Sequence, residues 1–150
     1  MLWESKPFAS LSPVELYALL ALRQAVFIVE QRCPYADADG MDAAALHLFC
    51  RDDAAAAAAL ACARVFAPGV MAPEAVIGRV ATASRVRRTG LGQELMRRAI
   101  ALVAQQHGPV PIRVGAQAYL HRFYASFGFV RAGDDYLEDG IPHLPMVRSA

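Results

Sequence analysis

The segment Arg85-Val86-Arg87-Arg88-Thr89-Gly90-Leu91-Gly92 constrains this chain most, because of what flanks it. Ahead of it, Ala75 to Ala83 (AVIGRVATA) is an apolar run of strand length, and such a run points to burial near the centre of a sheet. Behind it, Leu91, Leu95, Met96, Ala99, Ile100 and Val103 recur at helical spacing, so a helix is expected from Gly90 to His107, stopped by Gly108-Pro109. A strand, a glycine-bearing turn and a helix start together aim unpaired backbone N–H groups and a helix dipole at an anion. Gly90 and Gly92 let the main chain approach that anion closely, and Arg85, Arg87 and Arg88 add charge-assisted contacts to phosphate oxygens.

Missing residues narrow the ligand. No Gly-Lys-Ser/Thr is present, which removes the Walker loop. A dinucleotide fingerprint would want a third glycine near Leu95 and an acidic residue about 20 positions further on, where Val110 and Pro111 stand. The plain alternative is a tight turn whose arginines face water; the strand-and-helix context weighs against it.

The rest of the chain supplies a sheet and its covers. Trp3 to Phe8 reads as a first strand, and Ser12, Pro13 and Glu15 as N-cap, first helical residue and capping-box acid of a helix running to about Glu30. Cys33-Pro34 closes it, and Tyr35 to Ala45 reads as a loop. Leu46 to Arg51 and Leu60 to Phe66 form an expected hairpin around Asp52-Asp53, although Ala54 to Ala59 alone would favour helix. Val110 to Gly115 is a further strand, Ala116 to Ser126 a last helix, and Val130 to Leu137 with His143 to Arg148 a final hairpin. One strand–helix–strand crossover among runs of strands implies an α/β fold with a mixed sheet flanked by helices.

With 150 residues, 56% of them hydrophobic, the chain fits one domain over residues 1–150. A net charge of +1 with scattered arginines gives no footprint for nucleic acid or an anionic membrane, and points to a small-molecule partner. No window approaches a membrane span, and Met1 to Lys6 does not look like a cleaved leader. Cys33, Cys50 and Cys62 are odd in number and lack paired-ligand spacing, which suggests a reducing, cytoplasmic setting. Asp37, Asp39 and Asp42 invite a calcium reading that fails, since the loop would need a ligand at Met41 and glutamate at Leu48. A solvated acidic loop is expected there, with a negative lip for a cationic amine as the alternative. His47, His107 and His121 have no partner at ligand spacing, and no metal is expected.

Arg87-Arg88-Thr89-Gly90-Leu91-Gly92 resembles the Arg/Gln-x-x-Gly-x-Gly/Ala signature of the GNAT N-acetyltransferases. Gln117-Ala118-Tyr119-Leu120-His121-Arg122-Phe123-Tyr124, ending in Phe127-Gly128-Phe129, is similar to the later segment of the same family. Within it, Phe27 to Gln31, Cys33-Pro34-Tyr35, Asp37-x-Asp39-Gly40-x-Asp42, Gly115 to Ala118 and Glu138 to His143 resemble the ElaA-like branch, over nearly the whole chain. The resemblance implies a mostly antiparallel mixed sheet with splayed central strands, and direct transfer of an acetyl group from acetyl-CoA to a primary amine.

Several residue roles follow from the resemblance alone. Backbone groups of Val80, Ala81 and Thr82 would meet the pantetheine arm and the reacting carbonyl; Arg87, Arg88, Thr89, Gly90, Leu91 and Gly92 would hold the diphosphate. Gln117 stands where many relatives carry Asn for the cofactor, and Tyr124 matches the tyrosine that protonates the departing thiolate. Many relatives place a glutamate on the strand before the phosphate loop, where this chain offers only Arg79. The base must come from elsewhere, and Glu30, Glu138 and His143 are candidates; histidine is the side chain that titrates nearest neutrality. Glu30, Gln31, Tyr35 and His143 are expected on the acceptor side. Glu138-Asp139-Gly140-Ile141-Pro142 reads equally as a plain hairpin turn. Protein lysine or N-terminal acetylation and a non-catalytic acyl-CoA sensor stay open as alternatives, as does a homodimer.

Overall fold

Ser12 starts the first helix as a capping box: its Oγ accepts from Glu15 N at 3.1 Å, and Glu15 Oε2 accepts from Ser12 N at 2.9 Å. This helix belongs to a computed structural model that describes residues 1–53 and 57–150. The early part of the alanine run, where strand and helix readings compete, lies outside the described residues. Helix α1 (Pro13–Arg23) buries Glu15, Ala18, Leu19, Leu22 and Arg23, one face at helical spacing. The expected continuation to Glu30 changes character at Gln24: Gln24–Glu30 is a π-helical segment. Wider turns of this kind recur at functional sites, and β-branched Val26, Ile28 and Val29 weaken the competing α geometry.

Eight strands form one sheet: β1 (Leu2–Pro7), β2 (Leu46–Arg51), β3 (Ala59–Phe66), β4 (Ala75–Thr82), β5 (Ile112–Gln117), β6 (Phe129–Arg131), β7 (Tyr136–Glu138) and β8 (Ile141–Arg148). Their order is β1-β2-β3-β4-β5-β8-β6, with β7 also on β8. The expected final hairpin is thereby corrected: two short strands, β6 and β7, share β8 in place of one continuous strand. Gly133 and Asp134 interrupt that run, and the Cβ position of Gly133 lies 2.9 Å from Pro145 Cγ, too close for a side chain. Between β7 and β8, Asp139 and Gly140 have φ of +50° and +75°, as a two-residue type I′ hairpin requires.

Pairing is antiparallel throughout except between β4 and β5, which run parallel and pair only through Ala75↔Ile112 and Val76↔Arg113. Beyond those residues the two strands separate, so the centre of the sheet opens toward their C-terminal ends. Helix α2 (Leu91–His107) makes the crossover and buries Leu91, Leu95, Met96, Ala99, Leu102 and Val103 against one face. Gly108, at φ +72°, ends it by donating to Ala104 O at 2.9 Å. Helix α1 covers the other face: Ala18, Leu19 and Leu22, with Val26 of the π-helical segment, cluster with Phe49 of β2 and Cys62 of β3. The expected last helix is shorter than Ala116 to Ser126: β5 continues to Gln117, one 3-10 turn follows, and α3 (His121–Ala125) is a single turn and a half. Among the described residues no helix is long and apolar enough to cross a membrane.

Candidate active site

Between β4 and α2 the chain makes a 3-10 turn at Ser84–Val86, then passes Arg88 at φ +63° and Gly90 at φ +88° before entering the helix. Thr89 Oγ1 donates to Val86 O at 2.6 Å and fixes this loop from within. Gly90 caps α2 without a side-chain acceptor, and the first intrahelical bond is Glu94 N to Gly90 O at 3.1 Å. The N–H groups of Leu91, Gly92 and Gln93 therefore have no acceptor among the described residues. A Cβ at Gly90 would meet nothing within 4 Å, and one at Gly92 only Thr82 Cγ2 at 3.9 Å, so space lies open over the helix start. The donors and that space fit a phosphate group. The three arginines divide: Arg85 pairs with Asp52 at 3.2 Å and Arg87 with Glu30 at 2.5 Å, while Arg88 has no side-chain partner among the described residues.

Tyr124 projects from α3 into the core at 6% exposure, edge-on to Phe123 and Phe129. Burial pushes its phenol well above the ordinary value, with a smaller push from Tyr119. Its hydroxyl has no hydrogen-bond partner among the described residues and is not one of the fully buried unpaired polar atoms, so the ring is buried while the oxygen stays accessible. Val80, Ala81 and Thr82 line the β4 side of the sheet opening, past the last β4–β5 pair.

A second group gathers on the sheet face bearing Gln117 and His143, which are register partners on β5 and β8. Gln117 Nε2 donates to Gln31 Oε1 at 3.3 Å, joining β5 to the end of the π-helical segment. His143 is buried, with Nδ1 2.7 Å from Ile141 O. A carbonyl only accepts, so the ring carries hydrogen on Nδ1 and leaves Nε2 as its proton-accepting atom. Glu138 Oε2 lies 3.5 Å from Nε2, and Tyr136 stacks on the imidazole at 5.6 Å. Cys33 Sγ donates to Asp139 O at 3.0 Å, tying the loop before Tyr35 to the β7–β8 turn. Glu138 therefore belongs both to a hairpin turn and to a carboxylate–imidazole pair.

The expected solvated acidic loop is overturned, and so is the negative lip. Asp37 accepts from Arg23 Nε at 2.9 Å and from Arg79 Nε at 2.8 Å; Asp39 is bidentate on Arg64 at 2.8 and 2.9 Å; Asp42 accepts from Arg23 at 2.6 Å. Arg23, Arg64 and Asp37 are buried, Asp42 is half-buried and Asp39 stands at the exposed edge, so the carboxylates are neutralised by arginines that anchor the loop to the core. The Arg64 guanidinium holds the Asp39 carboxyl well below the usual carboxylate range. For Asp42, burial pulls upward, and hydrogen bonds and charge from Arg23 and Arg64 outweigh it. Both folded values thus lie under the unfolded ones, so their stabilisation is present above about pH 4 and is lost as pH falls further. The thermal midpoint should accordingly drop between about pH 4.5 and 3, and Asp39→Asn should flatten that part of the profile; scanning calorimetry across pH checks it. Among the described residues no three His, Cys, Asp or Glu side chains could hold a metal ion.

An open parallel pair at the centre of an otherwise antiparallel sheet, with an anion cradle at the helix that follows, defines the acyl-CoA transferase class of fold. Residues 28–150 match the family model described as "Acetyltransferase (GNAT) domain", and the chain belongs to that acetyltransferase family. Among its relatives, Protein ElaA of Escherichia coli strain K12 is 40% identical over 149 residues, covering 97% of this chain and 95% of that protein. The crystal structure of E. coli ElaA aligns with a TM-score of 0.90 at 38% identity, over 99% of this chain and all of that one. An acyl-CoA N-acyltransferase from Pseudomonas aeruginosa aligns with a TM-score of 0.92 at 41% identity, over 99% of this chain and all of that one. The resemblance seen in the motifs therefore holds for sequence and fold alike, and the chain is an acyltransferase.

Proposed function

We propose that this acyltransferase moves an acetyl group from acetyl-CoA directly to a primary amine of a small molecule. The observation that carries the reading is the trio of unpaired N–H groups at Leu91, Gly92 and Gln93, opening on the side where β4 and β5 part. They suit a diphosphate, which an extended nucleotide–pantetheine cofactor would lay across them with its arm reaching between the strands. When bound, acetyl-CoA would supply the thioester carbon that the amine attacks. One nitrogen–carbon bond forms and one carbon–sulfur bond breaks.

Two protons must move. Tyr124 delivers one to the leaving sulfur: its unpartnered hydroxyl stays protonated across the neutral range, and the burial that raises its own basicity raises that of a thiolate beside it. His143 Nε2 takes the other from the amine, directly or through water, and protonation there turns the 3.5 Å contact with Glu138 into an ion pair. Gln31 and Tyr35 border the acceptor on the π-helical side, with Gln117 holding Gln31 in place, while Glu30 is engaged by Arg87 of the loop before α2. Three buried cysteines in thiol form suit a cytoplasmic setting.

Acetyl-CoA incubated with a panel of mono- and polyamines, amino acids and a lysine peptide, followed by free-thiol release, tests the reading. Release with small amines supports it; release with the peptide alone overturns the acceptor class; binding without any release favours a sensor. His143→Ala should lower kcat about 10–50-fold near neutral pH, with coenzyme A affinity kept, as expected for a relayed base.

A further inference from the structure

Arg79 occupies an irregularity of β4. Pairing with β3 runs Ala61↔Thr82 and Cys62↔Ala81, then resumes at Arg64↔Gly78, so Arg79 and Val80 together oppose the single residue Ala63. Arg79 takes φ +49° there, a left-handed conformation that glycine adopts freely and arginine uncommonly. Such a residue is strained by about 1–3 kcal/mol and persists only where its surroundings over-determine it.

The surroundings are specific. Arg79 Nε donates to Asp37 Oδ1 at 2.8 Å, and its Nη2 reaches Asp37 O at 3.3 Å and Asp39 Oδ2 at 3.4 Å. Its guanidinium lies 5.6 Å from the centre of the Tyr35 ring. Asp37 is held from behind by Arg23, through Nε to Oδ2 and Nη2 to the backbone oxygen, both at 2.9 Å. One carboxylate and its own carbonyl thus join the last residue of α1, where the π-helical segment begins, to the bulged residue of β4.

The bulge lies past Val76, where β4 no longer pairs with β5; Ala81 is back in register with Cys62, so Arg79 and Val80 are the residues whose main chain is left out of the β3 ladder beside the opening. We infer that Arg79 is a positioning residue: its clamp on Asp37 fixes the bulge and thereby aims the Val80 N–H group at the acyl carbonyl oxygen, without itself touching substrate. This rests on the acyl-transfer reading above. It also gives Arg79 a task on the strand where many relatives carry a glutamate, and explains why an acidic loop is spent on buried ion pairs.

Four variants test it: Arg79→Ala, Arg79→Gly, Arg79→Lys and Asp37→Asn. Removing one aligned donor from an oxyanion site costs about 10²–10³ in kcat, so misaiming that donor in Arg79→Ala should cost about 10–30-fold. The KM for acetyl-CoA should stay within about 3-fold of wild type, because the diphosphate contacts are untouched. Arg79→Gly, which accepts the left-handed backbone without the clamp, and Arg79→Lys, which keeps one charged contact, should fall between. The carbonyl-13C resonance of bound [1-13C]acetyl-CoA, read without an acceptor, should move toward its free position in Arg79→Ala and Asp37→Asn. Variants that bind coenzyme A normally and keep both the wild-type kcat and the wild-type carbonyl resonance would overturn the positioning role. If Arg79→Ala fails to fold, Arg79→Lys and Asp37→Asn decide by the same two readouts. A wild-type protein that binds acetyl-CoA yet acetylates no amine overturns the acyl-transfer reading instead, and the 13C comparison tells the two failures apart.

Discussion

Replacing Gly92 by valine should weaken coenzyme A binding by about 100-fold or more while the protein stays folded, since losing two charge-assisted hydrogen bonds of about 1.5 kcal/mol each already amounts to that factor. Folding is spared because the new Cβ meets only Thr82 Cγ2, at the ordinary distance of 3.9 Å. Binding is not, because the branched side chain stands where a phosphate must approach the Leu91, Gly92 and Gln93 amides. Gly92→Ala separates the two effects further. Alanine in a helix raises stability by about 0.5–1 kcal/mol over glycine, so this variant should melt higher and still bind coenzyme A less tightly. Gly90→Val acts differently: at φ +88° a β-branched residue is strained wherever it points, so affinity should be abolished together with some stability. Calorimetric titration and thermal melts on the same samples check all three. A Gly92→Val protein that binds like wild type would remove the helix start from the site.

Tyr124→Phe should lower kcat about 100-fold and leave coenzyme A affinity nearly unchanged, the pattern of a lost general acid. The substitution is clean because the hydroxyl has no partner to orphan and the ring keeps its edge-on contacts with Phe123 and Phe129. Stability should hold or rise slightly. Burial pushes the phenol well above its ordinary value, so deprotonation of Tyr124 should not reduce the wild-type rate anywhere between pH 6 and about 10. Steady-state rates and single-turnover thiol release across that range test it. Equal rates for the variant and the wild type at every pH would end the acid role.

Local chemistry made much of the fold legible. The capping box at Ser12, the Gly108 stop and the Asp139-Gly140 turn each depend on residues within a few positions of one another, and each stands where the spacing predicts. The loop at Gly90 was readable for the same reason. Asp37, Asp39 and Asp42 were not, because their partners Arg23, Arg64 and Arg79 lie 14 to 42 residues away and no periodicity links them. A run of aspartates looks solvated until the arginines that bury it are in place. The π-helical segment was equally hidden: Leu16 to Phe27 keeps helical spacing whether the turns are α or π. Splitting the last hairpin into β6 and β7 depended on Pro145 crowding Gly133, a contact across strands. Of the candidate site, the cradle and Tyr124 were named from motifs, whereas the Tyr136 stack on His143 and the Cys33 tie to Asp139 needed the register of β7 on β8. In the sequence Arg79 stands out for the glutamate it replaces, and an arginine among apolar strand residues also calls for a buried partner, which only the fold identifies as Asp37.

The most direct test compares two titrations of the intact protein, one with coenzyme A and one with pantetheine, which lacks the diphosphate and nucleotide. Saturable one-to-one binding of coenzyme A, with pantetheine weaker by at least about 100-fold, is the expected result. Equal affinity for the two, or no binding of coenzyme A at all, would contradict an anion cradle at the start of α2.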